Sequence, residues 1–411
     1  MTEQVATMEI TGIAAGGDGV GRVNNMVAFV PRTAPGDLAN VTLTVAKRFA
    51  RGHLNSVERP SELRVDPRCE HYKFDKCGGC QLQHLNYEAQ LAAKEQIIVD
   101  SIRRIGKREL GPVPVMSSDS QWRYRRKLTL HVRKAKDRWI AGLHPYDDAR
   151  WVFDLKDCPI TDDRVLAVWK ELRPAFELLP DERSFRISVR LVDDGAAVVV
   201  EGGTSWPTAQ AFFEAAASIH ELWWKPEEGR VRRINARQGT PTDGASFAQV
   251  NAGVAAKLKE QLLTRVRSYS PRTVIDAYAG SGDTTLPLVS SGVAVTAIEL
   301  DVAAVKSFRD QLDTPSRAIA GAVEDHVADA LPADVVILNP PRTGIDARVA
   351  TILQDVKKPP RAILYVSCDP ATLARDLARL GRYRLASVTA YDMFPQTAHV
   401  ETICELVPEK A

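Results

Sequence analysis

In the last third of the chain, four short apolar runs rich in β-branched residues alternate with helix-like stretches. They are "RTVIDAYAGSGDTTLPL", "VAVTAIELD", "ADVVILNPP" and "RAILYVSCDP". Strands separated in this way pair in parallel, with helices crossing over on the faces of the sheet. The pattern predicts a doubly wound parallel sheet from about residue 241 onward. Ligands of such sheets bind outside the carboxyl ends of the strands, so the loops after these runs should carry the chemistry.

The first loop contains Gly280 and Gly282, which let the backbone approach a ligand closely. Glu299 ends the next run, where an acid can accept hydrogen bonds from both ribose hydroxyls. Thr285 stands where a dinucleotide fingerprint needs its third glycine, and Asp283 makes the loop acidic. Both features disfavour a pyrophosphate. They favour a nucleoside cofactor without phosphate, such as S-adenosylmethionine, over a plain glycine turn.

Cys368 follows the last run. Asp369 is placed to cap the next helix and Pro370 to open it. A helix N-terminus favours thiolate, while Asp369 opposes it. Taken alone, Cys368 reads first as a small, inert, buried cysteine. Near the C-terminus, "YDMFPQTAHVETICEL" sets a loop before a final strand, with His399 and Glu401 on one face if that strand is regular. Together a nucleoside pocket, a cysteine and a late carboxylate suit methylation at carbon. Uracil C5 becomes nucleophilic when a thiolate adds to C6, and a base must then remove the C5 proton.

The rest of the chain carries other signals. Its 411 residues suggest two or three domains. Residues 1 to 60 read as short strands between turns at Gly16-Gly17-Asp18-Gly19, Asn24-Asn25 and Pro35-Gly36-Asp37, the pattern of a small barrel. A helix is expected over Tyr87–Ile105, and residues 121–240 read as an α+β block of unassigned topology. Cys69, Cys77 and Cys80 lie in "CEHYKFDKCGGCQLQH". "MTEQVATMEITGI" has no basic leader, and no run approaches a membrane span, so the protein is expected to be cytoplasmic with reduced cysteines. The cysteine cluster then points to metal or catalysis. A net charge of +2 leaves any nucleic-acid contact to local clusters. "QWRYRRKLTLHVRKAKD" is one, with Arg123, Arg125, Arg126, Lys127, Arg133, Lys134 and Lys136 against Asp137, and with Trp122 and Tyr124 available to stack on bases.

"FAQVN", "DAYAGSGD", "IELD", "NPPR", "SCDPATLARD" and "FPQTAHVE" occur in the order found in the RNA 5-methyluridine methyltransferases, which the chain closely resembles over nearly its whole length. The resemblance implies three parts: a TRAM domain of OB-like β-barrel type (1–60) that binds RNA, a central α+β domain with a metal-cluster loop (61–240), and a Rossmann-like class I methyltransferase domain (241–411). It implies Cys368 as nucleophile and Glu401 as general base. It also implies S-adenosylmethionine contacts from Gln249, Tyr278, Asp283, Glu299 and Asn339. The family usually has Asn at 283 and Asp at 339, so this chain has exchanged the pair and kept the pocket's total charge. Cys158 in "LKDCPI" is the natural fourth partner of Cys69, Cys77 and Cys80. Spacing allows a four-cysteine zinc site or an iron–sulfur cluster; the resemblance favours [4Fe–4S], and the long gap from Cys69 to Cys77 keeps zinc as the alternative. The implied partner is RNA, with rRNA ahead of tRNA, and the chain is expected to be a monomer. The rival readings are an amino-group methyltransferase, from the partial match of "NPPR" to an Asn-Pro-Pro-aromatic motif, and a non-catalytic RNA-binding factor.

Overall fold

Asn24 and Asn25 both take left-handed backbone, with φ 49° and 64°. Two such residues make the tight turn that matches strand twist in a hairpin. They join β2 (Gly19–Val23) to β3 (Met26–Val30), between β1 (Glu3–Ile13) and the pair β4 (Leu38–Val45) and β5 (Ala50–Arg59). The five strands close into a barrel in the order β1-β2-β3-β5-β4. Alternate residues, among them Met8, Ile10, Val30, Val41 and Leu43, fill its interior. The computed structural model describes residues 3–136, 138–192, 195–237 and 249–409.

After the barrel come the cysteine segment with α1 (Glu70–Phe74), then α2 (Tyr87–Arg104), capped by the Asn86 side chain accepting from Ala89 N. β6 is only Val115–Met116. The central sheet uses β7 (Lys127–Ala135), β8 (Arg138–Gly142), β9 (Ser184–Val192), β10 (Gly195–Glu201), β11 (Ile219–Lys225) and β12 (Arg232–Ala236) in the order β12-β11-β10-β9-β7-β8. Its core includes residues of α3 (Asp163–Leu172) and α4 (Ala209–Glu214). The expected boundary at 240 and 241 lies outside the described residues.

The C-terminal part alternates α5 (Ala252–Ser268), β13 (Thr273–Ala277), α6 (Thr285–Val289), β14 (Ala294–Glu299), α7 (Val302–Arg309), β15 (Arg317–Ala320), α8 (Val323–Ala330), β16 (Val335–Leu338), α9 (Ala347–Asp355), β17 (Ala362–Ser367) and α10 (Pro370–Arg379). Two long strands follow, β18 (Tyr383–Tyr391) and β19 (Glu401–Pro408). The sheet order is β15-β14-β13-β16-β17-β19-β18-β6. The first five are parallel, as the apolar runs predict, and every residue of β16 and β17 is buried. β19 runs antiparallel between β17 and β18.

Two early elements join this late sheet. β6 pairs with the end of β18, Val115 opposite Ala390 and Met116 opposite Tyr391. α2 packs on α10, burying Ile98 and Ile102 in the core of the C-terminal part. Lys94 of α2 is wholly buried and ion-paired with Asp392, also wholly buried. Asp392 further accepts from the Tyr87 hydroxyl at 2.8 Å, and the Lys94 ammonium donates to Phe394 O at 3.0 Å. Removing one partner of such a pair strands the other charge. Lys94→Met is therefore expected to lower unfolding stability by roughly 3–5 kcal/mol, read by urea denaturation. A loss below about 1 kcal/mol would show that Asp392 rehydrates freely and that the pair does not hold α2.

Candidate functional site

β13 runs into a loop in which Tyr278, Gly280 and Gly282 have φ of 63°, 56° and 83°. Left-handed backbone is uncommon for a tyrosine. Here it is held by Tyr278 N and Ala279 N donating to Ile298 O at 2.9 and 3.1 Å. A side chain at 282 would put its Cβ 2.7 Å from the Phe308 ring, whereas at 280 it would meet nothing within 4 Å. The loop is thus closed beneath and open above. Glu299 turns back toward it, accepting from Gly280 N at 2.9 Å and Asp301 N at 2.8 Å. Asn339 leaves the end of β16 exposed, with its N–H donating to Ala277 O at 3.2 Å, and Asp283 is exposed on the loop. Tyr278, Asp283, Glu299 and Asn339 therefore share one edge of the sheet. Gln249 is half-buried just ahead of α5, next to Val250, whose carbonyl accepts from Arg126 N at 2.9 Å.

Asp276 was not among the candidates drawn from the sequence. It is 1% exposed, and one carboxylate oxygen accepts from the Thr284 and Thr285 hydroxyls at 2.6 and 2.7 Å. The other oxygen has no partner, and burial raises the carboxyl's pKa. That oxygen is sealed from the surface, and the carboxyl ties the start of α6 to the end of β13 through the two threonines. Its signal was an acid inside the otherwise apolar "TVIDA".

At the next part of the edge, Asp369 caps α10 by accepting from Thr372 N at 2.7 Å, and Pro370 opens the helix. Cys368 is half-buried at the end of β17. The β17–β19 ladder ends with Ser367 opposite Thr402. Continued one step, that register sets Cys368 opposite Glu401, and the Glu401 charge acts on the Cys368 thiol. Burial raises the Cys368 thiol, as does the Glu401 charge, while Arg342 opposes the rise. Glu401 is 5% exposed, and burial pushes its carboxyl up to about 7 against the pull of Arg342. Arg342 is the second residue the sequence reading passed over. In "NPPR" it registered only as a missing aromatic, yet it stands beside both groups. His399 lies before β19 rather than within it, edge-on to Phe394 with ring centroids 5.9 Å apart.

Cys69, Cys77, Cys80 and Cys158 line one cavity of about 270 Å³, which also reaches Arg342, His399 and Arg125. Gly79 N faces the Cys77 sulfur at 3.4 Å, and backbone N–H groups of Tyr72 and His71 face Cys69. Burial pushes Cys77 up to about 12, and its neighbours Cys158 and Cys69 add to the rise. Cys80 is raised further by burial and by Cys158. Such thiols ionise only with a cation among them, and an all-sulfur donor set suits zinc or iron–sulfur. Among the described residues, no three Cys, His, Asp or Glu close on a point as the ligands of a single ion do.

Part of the basic stretch serves the fold instead of RNA. Tyr124 is buried, its hydroxyl donating to Pro395 O at 2.9 Å, so it cannot stack on a base. Arg123 is bound to Asp157 at 3.0 Å and Cys158 O at 2.9 Å. Trp122 packs under Arg68, and Asp137 lies outside the described residues.

The family model described as tRNA (Uracil-5-)-methyltransferase matches residues 322–407, and the TRAM domain model matches residues 1–54. An uncharacterized RNA methyltransferase of Thermosynechococcus vestitus is 34% identical, over 98% of this chain and 98% of its own length. Another, of Protochlamydia amoebophila, is 31% identical over 97% and 96%. The chain belongs to the RNA uracil-5 methyltransferase family. It is an S-adenosylmethionine-dependent RNA (uracil-5-)-methyltransferase, which sets aside the amino-group and non-catalytic readings. Its fold is that of the Pyrococcus abyssi tRNA (uracil-54, C5)-methyltransferase, crystallised with S-adenosyl-L-homocysteine, at 23% identity and a TM-score of 0.71 over 98% of this chain and 99% of that one. The barrel is its TRAM domain. Among the described residues, no helix is long and apolar enough to cross a membrane.

The raised Glu401 pKa fixes a sign for stability. Between 4.5, its ordinary value, and about 7 the folded state binds this proton more tightly than the unfolded chain. The group's contribution is full below 4.5 and is lost as pH rises through about 7. Across that window wild type should lose roughly 2–3 kcal/mol more stability than Glu401→Gln, measured by urea denaturation at successive pH values. Parallel pH curves for the two proteins would mean Glu401 is not held protonated.

Proposed function

We propose that Cys368 adds to C6 of a target uridine and Glu401 removes the C5 proton. What carries this reading is the end of the β17–β19 ladder, whose register, continued one step, sets the thiol opposite a carboxylate raised to about 7, with the Arg342 charge acting on both groups. The Cys368 thiolate bonds to C6, and the C5=C6 pair shifts to leave an enolate through O4. S-adenosylmethionine supplies the methyl group that C5 takes. Glu401 then accepts the C5 proton; that electron pair restores C5=C6 and the C6–S pair leaves with sulfur. A base with a pKa near 7 suits this step at neutral pH. Arg342 offsets the negative charge on sulfur before attack and on the enolate after it. The uridine is flipped out of its stack, because a stacked base hides C5 and C6.

For the cofactor we assign Gln249, Tyr278, Asp283, Glu299 and Asn339, with Glu299 on the ribose hydroxyls in exchange for its present backbone contacts. The open ground over Gly280 supports a ligand there. Cys69, Cys77, Cys80 and Cys158 we assign to a [4Fe–4S] cluster. The four thiols line one cavity, and among the described residues no three ligands close on a point, which favours a polynuclear group over one zinc ion. Its part is to hold the loop, since methyl transfer needs no electron. We place the division of the chain at 1–60, 61–240 and 241–411, with a monomer acting in the cytoplasm. The substrate class we propose is rRNA ahead of tRNA, on the resemblance of the cysteine segment to the rRNA branch. The test is direct: the enzyme should release tritium from [5-³H]uridine in ribosomal RNA transcripts faster than in tRNA transcripts, and the opposite order would reassign the substrate.

Cys368→Ala should abolish both adduct and methylation while RNA binding survives. Glu401→Gln should accumulate a methylated covalent RNA adduct on denaturing gels, since attack and methyl transfer need no base at C5. Normal turnover in that variant would remove Glu401 from the base role. Separately, Glu299→Ala should weaken S-adenosylmethionine binding by roughly 1.5–3 kcal/mol in calorimetry, the scale of a hydrogen bond to a charged group.

A further inference from the structure

The loop between β18 and β19 leads directly into Glu401, and its conformation is not one its own sequence favours. Gln396 takes φ 72° while 2% exposed. A buried, left-handed, non-glycine residue needs its surroundings to hold it. Two glutamines do so. Gln90 of α2 exchanges hydrogen bonds with it, Gln396 N donating to Gln90 Oε1 at 2.9 Å and Gln90 Nε2 to Gln396 Oε1 at 3.0 Å. The cysteine loop supplies the rest, as Gln81 N and Leu82 N both donate to Gln396 O, at 3.2 and 3.0 Å.

The Gln81 side chain reaches in two directions. Its Oε1 accepts from Ala398 N at 3.3 Å, and its Nε2 donates to Gly78 O at 2.8 Å. Ala398 adjoins His399 and stands three residues before Glu401. Gly78 lies between Cys77 and Cys80. Gln81 also packs so closely on the barrel that a Cβ at Gly17 would stand 2.5 Å from its own Cβ. One side chain thus packs its stem on the barrel's first turn and spans, through its amide, the cysteine loop and the loop that delivers the base.

We propose that Gln81 is a positioning residue for proton abstraction, holding Ala398 and hence Glu401 in register with Cys368, and that through it the cysteine loop acts on this step instead of on RNA or cofactor affinity. This rests on the assignment of Glu401 as base. The chemistry fixes which step is exposed. Thiolate attack and methyl transfer do not involve Glu401. Transfer of the C5 proton to its carboxylate, with C5=C6 re-forming and the C6–S bond breaking, does. A base displaced by a fraction of an ångström leaves the first two steps running and slows the third.

The test uses the full chain with its metal site loaded, purified without oxygen, and compares wild type, Gln81→Met, Gln81→Glu and Glu401→Gln. Methionine keeps the length of the side chain and removes both polar contacts. Glutamate keeps an acceptor for Ala398 and loses the donor to Gly78. In Gln81→Met, affinities for S-adenosylmethionine and RNA should stay within about twofold, adduct should accumulate, and elimination should slow about tenfold or more, the scale of one lost hydrogen bond. The limb of its rate profile that titrates Glu401 should also move. Gln81→Glu should recover most of the elimination rate. Three outcomes would overturn the proposal: wild-type elimination in Gln81→Met, a loss confined to RNA or cofactor affinity, or equal loss in both Gln81 variants. Glu401→Gln separates the underlying reading, because absence of excess adduct there, with C5 methylation active in wild type, refutes the base assignment itself.

Discussion

The reversed last strand sets the terms for everything else in the site. β19 enters between β17 and β18 against the direction of the five parallel strands. Its first residue therefore lies at the edge where those strands end. A parallel strand in the same slot would have carried Glu401 to the opposite edge, roughly 20 Å away at ~3.3 Å per residue. Hydrophobic burial on both faces then locks the register, since a slip of one residue would turn Ile403 and Cys404 to the wrong sides. The placing of Glu401 at the edge that carries Cys368 is thus a property of backbone hydrogen bonding, and side-chain contacts refine it.

The cysteine loop is the second fixed point. On one side it receives the barrel. Arg32 lies over the rings of Tyr72 and Tyr146, 3.9 and 4.7 Å from their centroids, and donates to the carbonyls of Tyr72 and Cys77. On the other side it receives the loop before β19 through Gln81 and Leu82. A module that contacts RNA and a module that methylates it are therefore bolted to the same short segment. Such a segment has little secondary structure of its own, with only α1 within it. A group bound by the four thiols, as proposed above, would stiffen it.

Much of this was legible in the chain, and the reasons are specific. The barrel turns, α2, the four parallel strands and the Asp369 cap each have local signatures, and each lies where its signature put it. Cys368 and Glu299 stood out as candidates because they end apolar runs, and both lie at the carboxyl edge of the sheet. What local reading missed depends on distant partners. Tyr124 looked like a base-stacking aromatic until Pro395, far along the chain, took its hydroxyl. Arg342 and Gln81 carry no local pattern; their meaning comes from residues that only the folded sheet brings near. Asp276 was visible as an acid in an apolar run, and its unpartnered oxygen was not. The central block resisted assignment because β10 pairs in parallel with β11 but antiparallel with β9, which no single periodicity encodes.

The docking of α2 and β6 has a consequence for how the chain is made. Both elements leave the ribosome before the central sheet, yet their partners are β18, α10 and Asp392. At ~5–20 residues per second, the wait between Met116 and Tyr391 is on the order of tens of seconds. Throughout it Ile98 and Ile102 lack their core, and Lys94 must stay hydrated. The central sheet can close around its own core in that interval, while the C-terminal sheet cannot complete its edge until β18 and β19 have been made. That edge therefore assembles in one late, long-range event, and a product truncated before β18 keeps the apolar face of α2, with Ile98 and Ile102, without its core.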